Sequence, residues 1–323
     1  MSEVLIGIDL GGTNVKTAVV SRAGEVLGKD CRPTRASEGP DVVIDMMVES
    51  AEAALSQASV AQSNVLAAGI GAPGPMNWQT GVVFSPPNLP GWKDMPLADT
   101  MAKRLGVPCF VDNDANVACF GEFWLGAGRD VDSMVLLTLG TGVGGGIIVM
   151  GKLLRGPDGT AAEVGHLCVR RNGRRCNCGA RGCLETYASV TGMVRTAVDG
   201  IQAGHQTALL ERCGGDLEKI TGRMISEAAQ AGDGFAAWVI GETGVWLGAA
   251  IGSLINLLNP EKVVLAGGMI AAGEMLFSPA RATAKRQSFE VPGSRASVEA
   301  ATLGGDAGVI GAAGCALERL GLI

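Results

Sequence analysis

The pattern that most restricts the fold is a strand, a glycine turn and a second strand, present twice. Residues 4–9, VLIGID, are apolar and β-branched and read as a strand. Residues 10–14, LGGTN, make the turn, and 15–20, VKTAVV, the return strand. The arrangement recurs as SMVLLTL at 133–139, GTGVGGG at 140–146 and IIVM at 147–150. Two such hairpins predict a duplicated fold with two facing lobes. Helical patterns separate the strands. DVVIDMMVESAEAALSQA at 41–58 repeats apolar residues at three-to-four spacing, and PLADTMAKRL at 96–105 opens on Pro96 and stops before Gly106. PCFV at 108–111 is a short strand, and 235–258 reads as a buried helix ended by Asn259-Pro260. KVVLAGG at 262–268 is a strand running into a glycine turn, and 305–320 reads as a last helix. Alternating strands and helices predict an α/β protein with buried sheet faces.

Composition removes several function classes. The 323 residues allow two domains or one large one, and a 47% hydrophobic content fills a core. A net charge of −6 does not attract nucleic acid. The arginines at 170–175 read as a solvated face or a counter-charge rather than a DNA patch. Nine cysteines, mostly single and in apolar segments, fit a reducing cytosol. The start, MSEVLIGIDL, lacks the basic region and long apolar stretch of a signal peptide, so a cytoplasmic protein is expected. TGVWLGAAIGSLINLL at 243–258 is uncharged, but its 16 residues with three glycines are short for a membrane span. A buried core helix, and no membrane, is the expectation.

The segment 163–185, EVGHLCVRRNGRRCNCGARGCLE, gathers His166, Cys176, Cys178 and Cys183 within eighteen positions. Three thiolates and one imidazole are a common tetrahedral set for structural Zn²⁺. Gly173, Gly179 and Gly182 permit tight turns between the ligands, and Arg174, Arg175 and Arg181 offer counter-charge. The competing readings are a disulfide, or core cysteines clustered by chance.

The two hairpin turns offer a phosphate site. There is no GxxxxGK[ST] sequence, and the two GxGxxG matches, GIGAPG at 69–74 and GTGVGG at 140–145, do not open helices. Pro73 and Pro75 spoil the first, and a strand follows the second, so NAD is not expected. Successive N–H groups in a glycine turn form an anion nest, to which Thr13 and Thr141 add hydroxyls. Asp9 beside the first turn suggests Mg²⁺ between a carboxylate and a nucleotide's phosphates. Taken singly each turn is only a hairpin; as a pair they predict a nucleotide in the cleft between lobes.

At this point the chain resembles the ROK family of sugar kinases, within the actin-like/hexokinase-like ATPase superfamily, and its glucokinase branch most. The resemblance rests on DLGGTNVK at 9–16, GIGAPGPM at 69–76, PNLPGW at 87–92, DNDANVA at 112–118, LGTGVGGGI at 139–147, EVGH at 163–166, CNCGARGCLE at 176–185 and LAGG at 265–268. It implies ATP-dependent phosphorylation of glucose to glucose 6-phosphate. Asp9, Gly11, Gly12, Thr13 and Lys16 would face the phosphates and Mg²⁺, and Gly140, Thr141 and Gly142 would form the second phosphate loop. Gly267 and Gly268 would border the adenosine. Gly74, Asn113, Asp114, Glu163, His166 and Glu185 would hold the sugar, with Asp114 as general base. The resemblance also selects His166, Cys176, Cys178 and Cys183 as the zinc ligands and leaves out Cys168.

These roles agree with the residues themselves. A carboxylate with a pKa near ~4 is ionised at neutral pH and can accept a hydroxyl proton. From the residues alone, Asp114 equally suits a helix N-cap, with Ala115 opening the first turn. A zinc with four protein ligands has no open position, so it would pin the loop rather than act as a Lewis acid. The lobes are expected at 1–115 plus 305–323 and at 116–304. Other members of the family act on N-acetylglucosamine, N-acetylmannosamine, fructose or allose, and some are repressors. PNLPGW leans toward glucose by resemblance, and the nine residues up to Asp9 leave no room for a DNA-binding domain ahead of it. A polyphosphate donor is a further alternative, and a homodimer or homotetramer is the expected assembly.

Overall fold

The computed structural model describes residues 3–323; Met1 and Ser2, the head of the expected leaderless start, lie outside the described residues. Each glycine turn does join two strands. The chain begins with strands β1 (Val4–Leu10), β2 (Asn14–Ser21) and β3 (Val26–Pro33), then helix α1 (Pro40–Ala58) and strand β4 (Val65–Ala72). Three short strands follow, β5 (Met76–Asn77), β6 (Val82–Val83) and β7 (Met95–Pro96), with α2 (Leu97–Leu105), β8 (Cys109–Asn113) and α3 (Asp114–Leu125). Next come β9 (Met134–Leu139), β10 (Val143–Val149) and β11 (Lys152–Leu153). Helices α4 (Glu185–Ala188), α5 (Val190–Gln202), α6 (Leu209–Arg212), α7 (Gly222–Gln230) and α8 (Gly234–Leu258) lead to β12 (Lys262–Ala266). The chain ends with α9 (Glu274–Gln287), α10 (Glu290–Arg295), β13 (Ser297–Ala300) and α11 (Ala307–Arg319). Two five-stranded sheets have orders β3-β2-β1-β4-β8 and β11-β10-β9-β12-β13, the same order of first to fifth strand in each.

By compactness one unit is Met1–Asp132, Gly146–Ala162 and Ala301–Ile323, and the other is Ser133–Gly145 and Glu163–Ala300. The first unit thus runs past the boundary expected at 115 because α3 packs on α11. Glu122, 0% exposed in α3, explains the attachment. Its carboxylate accepts the N–H groups of Ala127 (2.9 Å), Thr302 (3.1 Å) and Leu303 (2.8 Å). A buried carboxylate needs such donors, and here they close the α3 end onto the segment before α11.

Within the first unit, β1 alternates faces as a strand must. Ile6, Ile8 and Leu10 join the core under α1 with Val43 and Met47, whereas Leu5 joins Val309, Ile310 and Leu317 of α11. Helix α11 lies directly on backbone. A Cβ on Gly7 would come 1.9 Å from the Val309 carbonyl oxygen, and one on Gly69 1.8 Å from that of Ala312. The first glycine of GIGAPG therefore seats a helix from within β4 and does not open a dinucleotide loop.

In the second unit, α8 is longer than the uncharged stretch that signalled it, 25 residues, and ends in αL at Asn259 (φ 47°) as the Asn-Pro pair predicts. Among the described residues it is the one helix long and apolar enough to cross a membrane, and 61% of its most apolar window is buried inside the protein. Gly244, Gly248 and Gly252 recur every four residues along α8. Cβ atoms there would meet the carbonyl oxygens of Leu276, Ala280 and Ala284 in α9 at 2.4, 2.4 and 3.0 Å. The three glycines thus serve a close helix crossing.

Candidate active site

The first unit carries a turn between β8 and α3. Asn113, not Asp114, is the helix cap: its Oδ1 accepts the N–H groups of Ala115 (2.9 Å) and Asn116 (3.3 Å). That corrects the cap reading of Asp114, which is the first residue of the helix and exposed. The Asp114 Oδ1 accepts the Ala115 N–H at 2.8 Å. A carboxylate at a helix N-terminus is stabilised as the anion, the form a base needs. The Asn113 Nδ2 donor lies near Gly74, where a Cβ would stand 3.5 Å from it.

Two unpredicted residues stand behind this turn. Asp112 is 5% exposed and accepts the Asn113 N–H (2.8 Å), the Asn116 Nδ2 (2.9 Å) and the Arg155 Nε (2.6 Å). Arg155 also donates to Glu318 at 3.3 and 2.5 Å. Asp112 was legible as part of DNDAN, but nothing near Arg155 in the sequence pairs it with residue 112.

The β1–β2 turn is closed by Gly11 N–H to the Asn14 carbonyl (3.0 Å) and by Thr34 Oγ1 to the Gly11 carbonyl (2.6 Å). Gly12 and Thr13 are exposed. Asp9 faces Lys16 directly across the two strands. Burial pushes the Asp9 carboxyl up, and the Lys16 charge opposes this. Lys16 reaches the Gly305 carbonyl at 3.5 Å.

In the second unit the β9–β10 turn is held from outside. The Val190 N–H donates to Gly140 O (2.9 Å) and Thr191 Oγ1 to Thr141 O (2.9 Å). The Val143 N–H donates to Glu185 Oε2 at 3.1 Å. A Cβ on Gly142 would lie 2.3 Å from that same oxygen, so only glycine leaves room for the carboxylate. The structure therefore brings Glu185 to the turn of Gly142, and its Oε1 lies 3.8 Å from the Cys176 sulfur.

The ligand atoms of His166, Cys176, Cys178 and Cys183 all lie within 4.8 Å of one another. Cys176 Sγ is 3.8 Å from His166 Nδ1, and Cys178 Sγ is 3.7 Å from Cys183 Sγ. The edge of a sulfur tetrahedron with Zn–S of about 2.3 Å is roughly 3.8 Å, so donor type and spacing both fit zinc. All nine cysteines are free, which removes the disulfide reading. Cys168 pairs its backbone with Cys183 but is not one of this group, its sulfur lying 3.7 Å from the Arg181 carbonyl. Burial pushes the Cys183 thiol up to about 12 and raises Cys176, while the Ala180 N–H lowers Cys178. Gly179 (φ 92°) and Gly182 (φ 77°) make the left-handed turns expected of them. Arg174 is no counter-charge: it donates to the carbonyls of Thr186 (2.9 Å) and Gly192 (3.1 Å) and to Asp199 (2.8 Å), tying the loop to α5. Glu163 is exposed and accepts the His166 N–H through its carbonyl at 3.0 Å.

Gly268 lines a cavity of about 350 Å³ with Val190, Met193, Arg223, Met269 and Leu276, a slot of mostly apolar walls. Gly267 (φ 94°) does not line it; a Cβ there would strike the Leu139 carbonyl at 2.3 Å. Those apolar walls escaped the sequence reading because their residues come from five separate elements.

The description of the ROK family matches residues 5–319. The chain belongs to the ROK family. A glucokinase of Thermotoga maritima is 41% identical over 319 residues, 98% of each chain. Two solved ROK structures share the fold. One is a ROK family glucokinase from Streptomyces griseus in complex with glucose and AMPPNP, 37% identical, with a TM-score of 0.80 over 97% of this chain and 98% of the other. The other is a ROK hexokinase from Thermus thermophilus, 32% identical, with a TM-score of 0.82 over 98% and 99%. The α/β architecture is thus the actin-like ATPase fold of ROK kinases, as the family resemblance implies.

Proposed function

We propose that the protein transfers the γ-phosphoryl group of ATP to glucose, giving glucose 6-phosphate. The observation that carries this reading is the β8–α3 turn, which exposes the Asp114 carboxylate at a helix start beside an amide donor. Relatives named glucokinase at 41% identity, and a ROK glucokinase with glucose and AMPPNP bound, support the sugar and the donor. Asp114 takes the proton of the attacking hydroxyl, and Asn113 Nδ2 and the backbone at Gly74 hold the sugar. Glu163, His166 and the Oε1 of Glu185 take further hydroxyls. With Nδ1 of His166 on the thiol side, Nε2 is the nitrogen left to donate. Gly11, Gly12, Thr13 and Lys16, with Gly140, Thr141 and Gly142, receive the phosphates through turn N–H groups, a hydroxyl and a charge. The cavity at Gly268 takes the adenosine.

Zinc would be held by His166, Cys176, Cys178 and Cys183 and, when bound, would supply positive charge that fixes the loop. Mg²⁺ would be held near Asp9, where a buried, raised carboxyl is relieved by a cation. The likeness in donor and free thiols supports a cytoplasmic enzyme. An ATP-coupled assay tests the reading: Asp114→Ala should lose about 10²- to 10⁴-fold in kcat while binding glucose within a few fold by calorimetry. Full turnover in that variant would remove Asp114 as base. A kcat/KM panel of other hexoses, with polyphosphate as second donor, tests substrate and donor on the same sample.

A further inference from the structure

We propose that Arg155 is a positioning residue for phosphoryl transfer, acting through Asp112 on the turn that presents Asn113 and Asp114. The inference rests on Asp114 being the base. One guanidinium joins three separate elements. Its Nε reaches Asp112 at the end of β8 at 2.6 Å, and its Nη1 and Nη2 reach Glu318 in the last turns of α11 at 3.3 and 2.5 Å. Arg155 itself comes from the stretch after β11. It is 9% exposed, so neither partner exchanges it freely for water.

The geometry at Asp112 explains why this matters for Asp114. One oxygen of Asp112 accepts the Asn113 N–H at 2.8 Å and the Asn116 side-chain amide at 2.9 Å. These two bonds bracket residue 114 in the chain. They fix the backbone just before it and the helical turn just after it. The other oxygen accepts the Arg155 Nε. If that bond is lost, the carboxylate is free to turn, and both brackets move with it. Placement errors near 1 Å at a reacting group cost about 10²-fold in rate.

The guanidinium is itself restrained. Its carbon stands 4.9 Å from the centre of the Trp78 ring, and Arg319 stands 5.0 Å from the same ring. The Arg319 Nη1 donates to the Trp78 carbonyl at 2.9 Å, and the Trp78 indole N–H to the Gly156 carbonyl at 3.4 Å. A planar fork with fixed donor directions can serve two carboxylates and an aromatic face together; a lysine ammonium presents one point charge.

The test compares Arg155→Lys, Glu318→Gln and Asp114→Asn in the full chain. Arg155→Lys keeps the charge and loses the fork. It should lower kcat about 10- to 100-fold, raise KM for glucose by a smaller factor through Asn113, and remain folded at the assay temperature by circular dichroism. Glu318→Gln, which leaves the Asp112 bond intact, should lose less than Arg155→Lys. If Arg155→Lys does not fold, Asp112→Asn is read in its place with the same expectation, since it keeps acceptor oxygen and shape. A folded Arg155→Lys with parental kcat overturns the inference. So does a rate loss that tracks unfolding on heating. Should Asp114→Asn keep its activity, the reading of the base fails instead, whatever Arg155 does. If Arg155 works through Asp114, Arg155→Lys should cost less than threefold when added to Asp114→Asn.

Discussion

The Asp112–Arg155–Glu318 cluster of the first unit and the His166–Cys176–Cys178–Cys183 cluster of the second both sit behind residues assigned to the sugar. The first finds its partners within the protein: two carboxylates share one guanidinium through short bonds. The second does not. Burial pushes the Cys176 and Cys183 thiols up, and a bound cation would favour their thiolates. The difference teaches that the two halves of one proposed machine depend on different conditions. On the proposed reading, the turn bearing Asp114 would be set by folding alone, whereas the loop bearing Glu163 and His166 would be set by folding plus metal.

Metal removal is the sharpest way to break that comparison. A chelator that strips the protein should cut glucose phosphorylation by about 10²-fold or more, given how strongly structural zinc is coupled to local folding. Hydrogen exchange should then rise across 163–188 and stay low across 109–125. Metal-free protein with full activity and unchanged exchange would end the proposed role for zinc. A smaller effect is expected at Glu185, which links the thiols to the second glycine turn. Glu185→Gln keeps an oxygen for the Val143 N–H and loses the charge, so kcat/KM for glucose should fall about tenfold. An unchanged kcat/KM would confine Glu185 to bracing the turn.

The smallest effect concerns stability at Asp9, a carboxylate with less compensation than Asp112. Burial raises it more than Lys16 lowers it, so the folded chain holds this proton more tightly than the unfolded one. Stability therefore falls as pH rises from about 4 through the raised value. In protein free of nucleotide and divalent metal, Asp9→Asn should melt higher than the parent at pH 7–8, and the gap should vanish below about pH 4. It should also lose ATP-dependent turnover. A variant that melts no higher at pH 8 would show that Lys16 already balances the charge.

Both hairpins were legible because their glycine turns fall between runs of β-branched residues, and α8 because an apolar stretch stops at Asn259-Pro260. Strand β3 was not, since VLGKDCRP is an edge strand with one buried residue and carries little apolar signal. The cap at α3 was misplaced by one residue: Asp112, Asn113 and Asp114 are all good capping types, and only backbone geometry chooses among them. The unit boundary was hidden because Glu122 finds its donors 180 residues downstream. Arg155 was hidden for the same reason, 43 residues from Asp112. Motif spacing reports neighbours in the chain, and these partners are neighbours only after folding.

Helix α11 has a consequence for biosynthesis. It fills one face of the sheet that β1 and β2 begin, packed so closely that Gly7 and Gly69 leave no room for a side chain. On a ribosome, that face stays uncovered until α11 emerges. The stretch 163–300 is continuous and already released by then. Nascent chains should thus acquire protease resistance in the later-made portion first, with the amino-terminal portion following once α11 has emerged.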